Sequence, residues 1–425
     1  MRMENYLKRL DKKRRLFIDN IAREADQQRF SAYVIGGVVR DLLLSRTNID
    51  LDVVVEGDAI ILAKALSRKW RAELTPYPAF GTATLRLNNR QTIDLASARR
   101  ETYPYPGALP VVRMGGAIKE DLFRRDFTIN AMAIGINGEN QGRLIDYYGG
   151  YNDLKSKKIR VLHDGSFRDD PTRLLRAVRF EQRFGFRLEA KTLNLVKTAI
   201  SKNYGRSVKL PRYFAEFQKI FSEASPSKVL ARLAQLSGLD FLQSGFKFQS
   251  ASFKHIEERI KHLQKKNIYR DIPWAPIYRL ALFDQLDKRR RKYLSTMIGL
   301  TKKEAQEVAG LKGLGNIATR LSRTRLRPSE VYAILCPLPM NVIYYLRVKA
   351  NQRIVHRAID RFLDQWSKVK LQITGIDVKR FGVKEGRKVG LLLKQLLCIK
   401  IDKALSGKKE EMKALQNLIQ LSVEV

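Results

Sequence analysis

Cysteine is scarce: the chain has two in 425 residues, Cys336 and Cys398. Two thiols cannot build a disulfide framework. Both lie in apolar stretches, YAILCPL and LKQLLCIK, which predicts buried free thiols. Only four histidines occur, none paired at metal-ligand spacing, which argues against a structural zinc site. No apolar run reaches the roughly 18 residues that a spanning helix needs. The opening segment has alternating charge and no apolar centre, so no secretory signal is expected. There is no repeat of fixed period and no low-complexity segment. Acid is also short: 43 Asp+Glu face 81 Lys+Arg, a formal net charge of +38.

What is present is an ordinary hydrophobic fraction, 44%, enough for a globular fold. The positive excess runs from MRMENYLKRLDKKRR to SGKKEEMKAL, so it is a property of the surface and not of a tail. Such a surface repels itself unless a polyanion is the partner. Nucleic acid is the first candidate and an acidic membrane surface the second. Together these features predict a reduced, cytoplasmic protein.

Periodicity divides the chain. Residues 4–28 predict one amphipathic helix, with Tyr6, Leu7, Leu10, Leu16, Ile18 and Ile21 near one face. YVIGG predicts a strand ending in glycines, VVRDLLL a helix, and IDLDVVVEG a strand. GTATLRLNNRQTIDLASAR predicts a hairpin turning near Asn88-Asn89, and Arg99–Gly116, rich in Pro, Gly and Arg, a loop. From about residue 168 onward helical periodicity dominates. A mixed α/β unit of roughly 150 residues followed by a long helical region is the expected order.

Three constellations carry chemistry. In the first, Gly36 and Gly37 lie between strand and helix, where a bare backbone admits close approach and helix N–H groups favour phosphate. Arg40 could add a cation. Asp50 and Asp52 alternate on a strand and so share a face. Two adjacent carboxylates repel unless a cation lies between them, and an oxygen-only anionic site suits Mg²⁺ with a nucleoside triphosphate. Asp94 is a candidate third carboxylate for activating a hydroxyl. In the second, Arg124-Arg125-Asp126 can direct one guanidinium to a phosphate and the other to Asp126.

The third is Asp169-Asp170-Pro171-Thr172-Arg173, continuing to Arg176 and Arg179. Pro171 suits the first helical position with an Asp capping before it, and Asp170, Arg173, Arg176 and Arg179 step by three along one face. The competing reading is a surface ladder of ion pairs. The functional one is specific. An Asp acceptor beside an Arg donor matches the Watson–Crick edges of cytosine and adenine. Guanine and uracil present the reverse order, leaving buried polar groups unpaired at about 1–3 kcal/mol each.

In order and spacing, GGVVRDLLL…IDLDVVVEG, RRDFTINAMA, LIDYYGGYNDLKSKKIRVL and DDPTRLLRAVRFEQRFGF resemble the motifs of class II tRNA nucleotidyltransferases. That family includes CCA-adding, A-adding and CC-adding enzymes and bacterial poly(A) polymerases. The resemblance is strong over about residues 30–240. RSVKLPRYFAEFQKIF resembles the neck motif more loosely, and TGIDVKRFGVKEGRKVGLLLKQLL a tail segment.

It implies an α+β fold: a small polymerase-β-like nucleotidyltransferase head, a mixed sheet with helices, then an all-helical neck, body and tail. The implied divisions are an N-terminal helix over 1–30, the head over 31–150, a neck with the base-reading helix over 151–225, a body over 226–335 and a tRNA-binding tail over 336–425. It implies Mg²⁺ on Asp50 and Asp52, nucleotide contacts from Gly37, Arg40, Arg125, Arg176 and Arg179, and base reading by Asp170 and Arg173. The implied activity is addition of CMP and AMP to the 3′ end of tRNA from CTP and ATP. The tRNA would be held by its acceptor and TΨC region, with no membrane and no obligate protein partner.

The usual Glu-Asp-x-x-Arg of the family is Asp169-Asp170-Pro171-Thr172-Arg173 here. That departure leaves addition of the terminal A alone as the alternative to full CCA addition. A poly(A) polymerase is disfavoured because no Arg-Arg-Phe motif follows the head hairpin, and a CC-only enzyme because the Arg99–Gly116 stretch is long. A non-catalytic RNA-binding scaffold is the reading from another class. Phosphate contacts in the helical half are expected among Lys209, Arg212, Arg320, Arg323, Arg325, Arg380, Arg387 and Lys388.

Overall fold

A computed structural model describes residues 3–46, 51–88, 91–240, 242–243, 245–383 and 386–421. Asp50 and the Asn89 side of the expected turn lie outside the described residues. The chain divides into two compact units, Met1–Ser244 and Gly245–Val425.

The first unit is built on a seven-stranded mixed sheet in the order β3-β4-β5-β2-β1-β8-β9. Its strands are β1 (Ser31–Ile35), β2 (Leu51–Glu56), β3 (Glu73–Tyr77), β4 (Thr82–Arg86), β5 (Thr92–Ser97), β8 (Ala133–Gly135) and β9 (Leu144–Ile145). Val53, Val54 and Val55 are buried, as β-branched residues on a strand covered on both faces should be. On one face Ala59–Trp70 packs over β4 and β5. That helix is capped by Asp58, which accepts from Ile60 N at 2.8 Å and Ile61 N at 3.2 Å. On the other, Tyr33, Ile35 and Val54 join Ile118 and Leu122 of the helix Ile118–Phe123 in a dry cluster.

Several local expectations need correction. The N-terminal helix is two, Glu4–Leu7 and Lys12–Gln27, because Asp11 caps the second by accepting from Arg14 N at 2.9 Å. Leu16, expected on the apolar face, is 54% exposed. Arg99–Gly116 is no plain loop: β6 (Arg99–Thr102) and β7 (Val111–Met114) pair antiparallel from Arg99↔Met114 to Thr102↔Val111. Within the helical stretch, β10 (Lys158–Ile159) pairs in parallel with β11 (Arg187–Leu188). The helix Arg173–Phe184 begins after Thr172, two residues later than Pro171 suggested, and stops at Gly185, whose φ of 66° closes it. Asp170 therefore lies before the helix and not on its face.

The described residues of the second unit contain helices and no strand, from Ser250–Leu263 to Gly407–Leu421. Near its end Ile373, Val378, Leu392, Leu396 and Leu415 form a cluster of their own. Both cysteines are free, but neither is buried: Cys336 is exposed and Cys398 half-buried. Cys336 follows the last residue of the helix Pro328–Leu335, where Leu335 turns inward and the next position turns out. Among the described residues no single helix is long and apolar enough to cross a membrane.

Candidate functional site

Parallel pairing of β2 with β5 sets Asp52 directly opposite Asp94. Cross-strand partners project from the same face, so the two carboxylates are neighbours. Asp94 is exposed and accepts a hydrogen bond from Thr84 Oγ1 at 2.6 Å, and Asp52 is half-buried. Anionic oxygens brought together this way suit a hard divalent cation. Among the described residues no group of three His, Cys, Asp or Glu side chains forms a ready metal cage. Asp50, the third member expected, lies outside them.

Beside this pair, Gly36 has φ +65°, and a Cβ there would meet Arg125 Nη1 at 2.9 Å. The positive φ calls for glycine, as the strand–glycine–helix reading anticipated, whereas the arginine tip could move aside. Arg125 Nη2 donates to Asp121 Oδ2 at 2.9 Å, while its buried Nε has no partner. Arg124 also holds Asp121, at 2.9 and 2.7 Å, and reaches Glu101 at 2.9 Å. Burial pushes the Asp121 carboxyl up, but Arg125 and Arg124 bring it below the usual range. Neither arginine holds Asp126, which corrects the expected pairing.

Arg40 is turned inward. Its Nε and Nη2 donate to Asp41 at 2.9 Å each and its Nη1 to Asn130 Oδ1 at 2.5 Å, with the Phe184 ring 4.8 Å away. The cation expected for a triphosphate is engaged inside the protein in this structure.

Asp126 is held from the helix Arg173–Phe184. Arg176 Nε and Nη2 donate to its Oδ2 at 2.9 and 2.6 Å, and Asn130 and the Phe127 N–H satisfy Oδ1. Burial raises the Asp126 pKa, yet Arg176 and Asn130 bring it down to about 2. Arg176 also contacts Glu216 at 3.3 Å. Arg179 lies 3.0 Å from Glu223 and 3.7 Å from Glu216. Arg176 and Arg179, expected at the nucleotide, therefore face Asp126 in a turn, Glu216 of the helix Leu210–Phe221 and Glu223 just past its end.

Asp170 and Arg173 are fixed separately. Asp170 Oδ1 accepts from Thr172 N at 3.0 Å, Thr172 Oγ1 at 2.7 Å and Arg212 Nη2 at 3.1 Å. All three bonds end on Oδ1, so Oδ2 is the acceptor left for a ligand. Buried Arg173 donates from Nη1 to Ser166 Oγ at 2.7 Å and from Nη2 to the Arg124 carbonyl at 2.8 Å. The other acid of the motif, Asp169, lies 3.8 Å from His163 Nε2.

Arg212 was expected on phosphate. It instead ties Asp170 to the tip of the β6–β7 hairpin, donating from Nη1 to the Gly107 carbonyl at 2.7 Å. Ser207 Oγ donates to Pro106 O at 2.5 Å, and Gly107 N to Arg168 O at 3.2 Å. Glu216, Glu223 and Asp121 were missed as site residues. Their signal in the sequence was only that acids are few in an arginine-rich setting, so each one present is committed to a partner.

Residues 32–160 match the family model of the poly A polymerase head domain. An A-adding tRNA nucleotidyltransferase of Geobacter sulfurreducens is 31% identical over 403 residues, 93% of this chain and 46% of that protein. The A-adding tRNA nucleotidyltransferase of Halalkalibacterium halodurans is 31% identical over 370 residues, 85% of this chain and 82% of that protein. A Thermotoga maritima CCA-adding enzyme complexed with tRNA superposes with a TM-score of 0.73 at 30% identity, covering 99% of both chains. The chain spans about half the length of the curated relatives it matches most fully, 46% and 44%.

Proposed function

The chain belongs to the tRNA nucleotidyltransferase family, and from that premise we infer that it transfers AMP from ATP to the 3′-hydroxyl of tRNA ending in CC, releasing pyrophosphate. The observation that carries the reading is the pair Asp170 and Arg173, each immobilised by its own partners. A rigid acceptor and donor select adenine or cytosine without a template strand. A wrong base leaves one buried group unpaired, at about 1–3 kcal/mol. The narrower choice of the terminal A follows the relatives matched over most of the chain, which are named A-adding. Full CCA addition is the second reading, favoured by the solved CCA-adding structure that spans the same length.

Asp50 and Asp52 would hold Mg²⁺, with Asp94 alongside as the acid nearest the attacking hydroxyl. Bound there, Mg²⁺ supplies Lewis acidity toward the α-phosphate and the 3′-hydroxyl. Gly36 and Gly37 leave room for phosphate oxygens against bare backbone, and the partnerless Arg125 Nε beside them marks where a guanidinium can turn to a phosphate. Arg40 joins it only by releasing Asp41. Arg176 and Arg179 hold the base-reading helix against Asp126, Glu216 and Glu223, so little of their charge reaches a triphosphate. Lys209, Arg320, Arg323, Arg325, Arg380, Arg387 and Lys388 are the proposed phosphate contacts for the acceptor and TΨC region of the tRNA. A reaction on tRNA fed by ATP would run in the cytoplasm.

The test offers tRNAs lacking one, two or three 3′ nucleotides, with ATP or CTP alone and with or without Mg²⁺. Incorporation of a single AMP only onto tRNA ending in CC, abolished by chelation, is expected. CMP incorporation onto the shorter tRNAs would establish the second reading, and no incorporation on any substrate would overturn both.

A further inference from the structure

The longest run of cations in the chain, Lys288-Arg289-Arg290-Arg291-Lys292, opens the ten-residue helix Lys288–Met297 of the second unit. Two of the five are engaged locally. Arg291 donates from Nε to the Phe283 carbonyl at 3.1 Å and from Nη2 to the Asp284 and Leu286 carbonyls at 3.2 and 3.1 Å. Arg290 lies over the Tyr293 ring at 4.7 Å. The other three, Lys288, Arg289 and Lys292, are exposed, and among the described residues they form no ion pair.

At about 100° per residue these three share one half of the helix with Tyr293, Thr296 and Met297, opposite the buried Leu294. Tyr293 is 45% exposed and Met297 47%. The face is therefore cationic along one edge and aromatic and apolar along the other.

The charge is placed where it opposes folding. No acid occupies the first turn, and only Asp287 caps the helix, its Oδ1 accepting from Arg290 N at 2.7 Å. Cations at a helix N-terminus oppose the macrodipole, and Lys288 and Lys292 are like-charged neighbours one turn apart. The helix packed against it, Lys302–Ala309, opens on Lys302 and Lys303, again exposed and unpaired among the described residues. An anion laid along this surface relieves all of these repulsions together.

We propose that the outward face of Lys288–Met297 grips the phosphate backbone of the tRNA, with Lys288, Arg289 and Lys292 on phosphates and Tyr293 against sugar or base. The proposal rests on tRNA being the substrate. An aromatic beside free cations is the pattern that single-stranded and irregular RNA exploits by stacking. A contact of this kind sets affinity without entering the chemistry.

The test uses the full chain carrying Lys288→Ala, Arg289→Ala and Lys292→Ala together, and Lys292→Glu separately. The tRNA affinity of each is measured across a salt series beside the unaltered protein. The triple variant should bind about tenfold or more weakly at low salt. Its plot of log affinity against log salt should be shallower by about two to three, roughly one per lost phosphate contact. Lys292→Glu alone should weaken binding relative to the unaltered protein. AMP transfer at saturating tRNA should be unchanged, and the thermal midpoint unchanged or raised. Equal affinity and slope in the variants and the unaltered protein would overturn the proposal. So would loss of binding to anionic phospholipid vesicles with tRNA binding intact, which would make the face a membrane contact. An unaltered protein that binds no tRNA at any salt would overturn the substrate assignment itself, a distinct result.

Discussion

Asp126 shows how one carboxylate joins two parts of the site. It closes the turn into Phe127 and Asn130 and anchors Arg176 of the helix Arg173–Phe184. Its pKa, brought to about 2 by Arg176 and Asn130 against the cost of burial, lies below its unfolded value. A depressed carboxyl stabilises the fold above the unfolded pKa and loses that contribution as pH falls from about 4 toward 2. Its size is about 2 kcal/mol, an order-of-magnitude figure. Urea unfolding midpoints should therefore fall between about pH 4 and pH 2, and Asp126→Asn should flatten that part of the profile. An unchanged slope in the variant would remove Asp126 from the account.

Arg212 belongs to the same scale. If it positions Asp170, then Arg212→Ala should lower selectivity for ATP over UTP by about fivefold or more, the equivalent of about 1 kcal/mol lost from one charged hydrogen bond. Arg212→Lys should restore part of it. A pure phosphate contact would instead weaken tRNA binding and leave base choice intact, so ratios of kcat/KM for the two nucleotides separate the roles.

At the scale of elements, the β6–β7 hairpin is latched through Pro106 and Gly107 to Arg168, Ser207 and Arg212. Gly107 has φ +73°, and a Cβ there would meet Val208 Cγ2 at 2.7 Å and Ser207 Oγ at 2.8 Å. Gly107→Val should undock the tip. The sheet is untouched by it, so the expected signature is faster protease cleavage confined to residues 103–110 with near-normal thermal stability, together with reduced base selectivity. A variant as protease-resistant as the parent would contradict the latch.

The same hairpin shows what the chain made legible and what it hid. β2 could be read because Val53–Val55 are β-branched and consecutive, and the turn at Gly36 because glycine favours that φ. β6 and β7 were hidden because Pro104, Pro106 and Gly107 between them and Arg99, Arg100 and Arg113 within them mimic a loop composition. The carboxylates of the site were visible as residue types at strand spacing. Their partners were not. Asp126 stands beside two arginines in sequence and is held by a third, 50 positions away. Arg173 is fixed by a carbonyl 49 positions away. Such pairings are set by tertiary packing, which local periodicity does not encode.

For the whole molecule, the net charge of +38 lies almost entirely outside the head, where residues 31–150 hold 15 Lys+Arg against 13 Asp+Glu. At the site many guanidinium groups are neutralised by acids, among them Arg40, Arg124 and Arg125 of the head and Arg176 beyond it. The charge left for a polyanion is therefore the exposed remainder, and on the proposed reading chemistry and affinity reside on different residues. It follows that one can be removed without the other.

Asp52→Asn tests this separation most directly. Labelled ATP and tRNA ending in CC are mixed with saturating protein, the single-turnover rate of AMP incorporation is measured, and tRNA affinity is measured in parallel. The account predicts a rate lower by about a thousandfold with affinity unchanged. Incorporation at the parental rate, or affinity lost in step with it, would contradict the account.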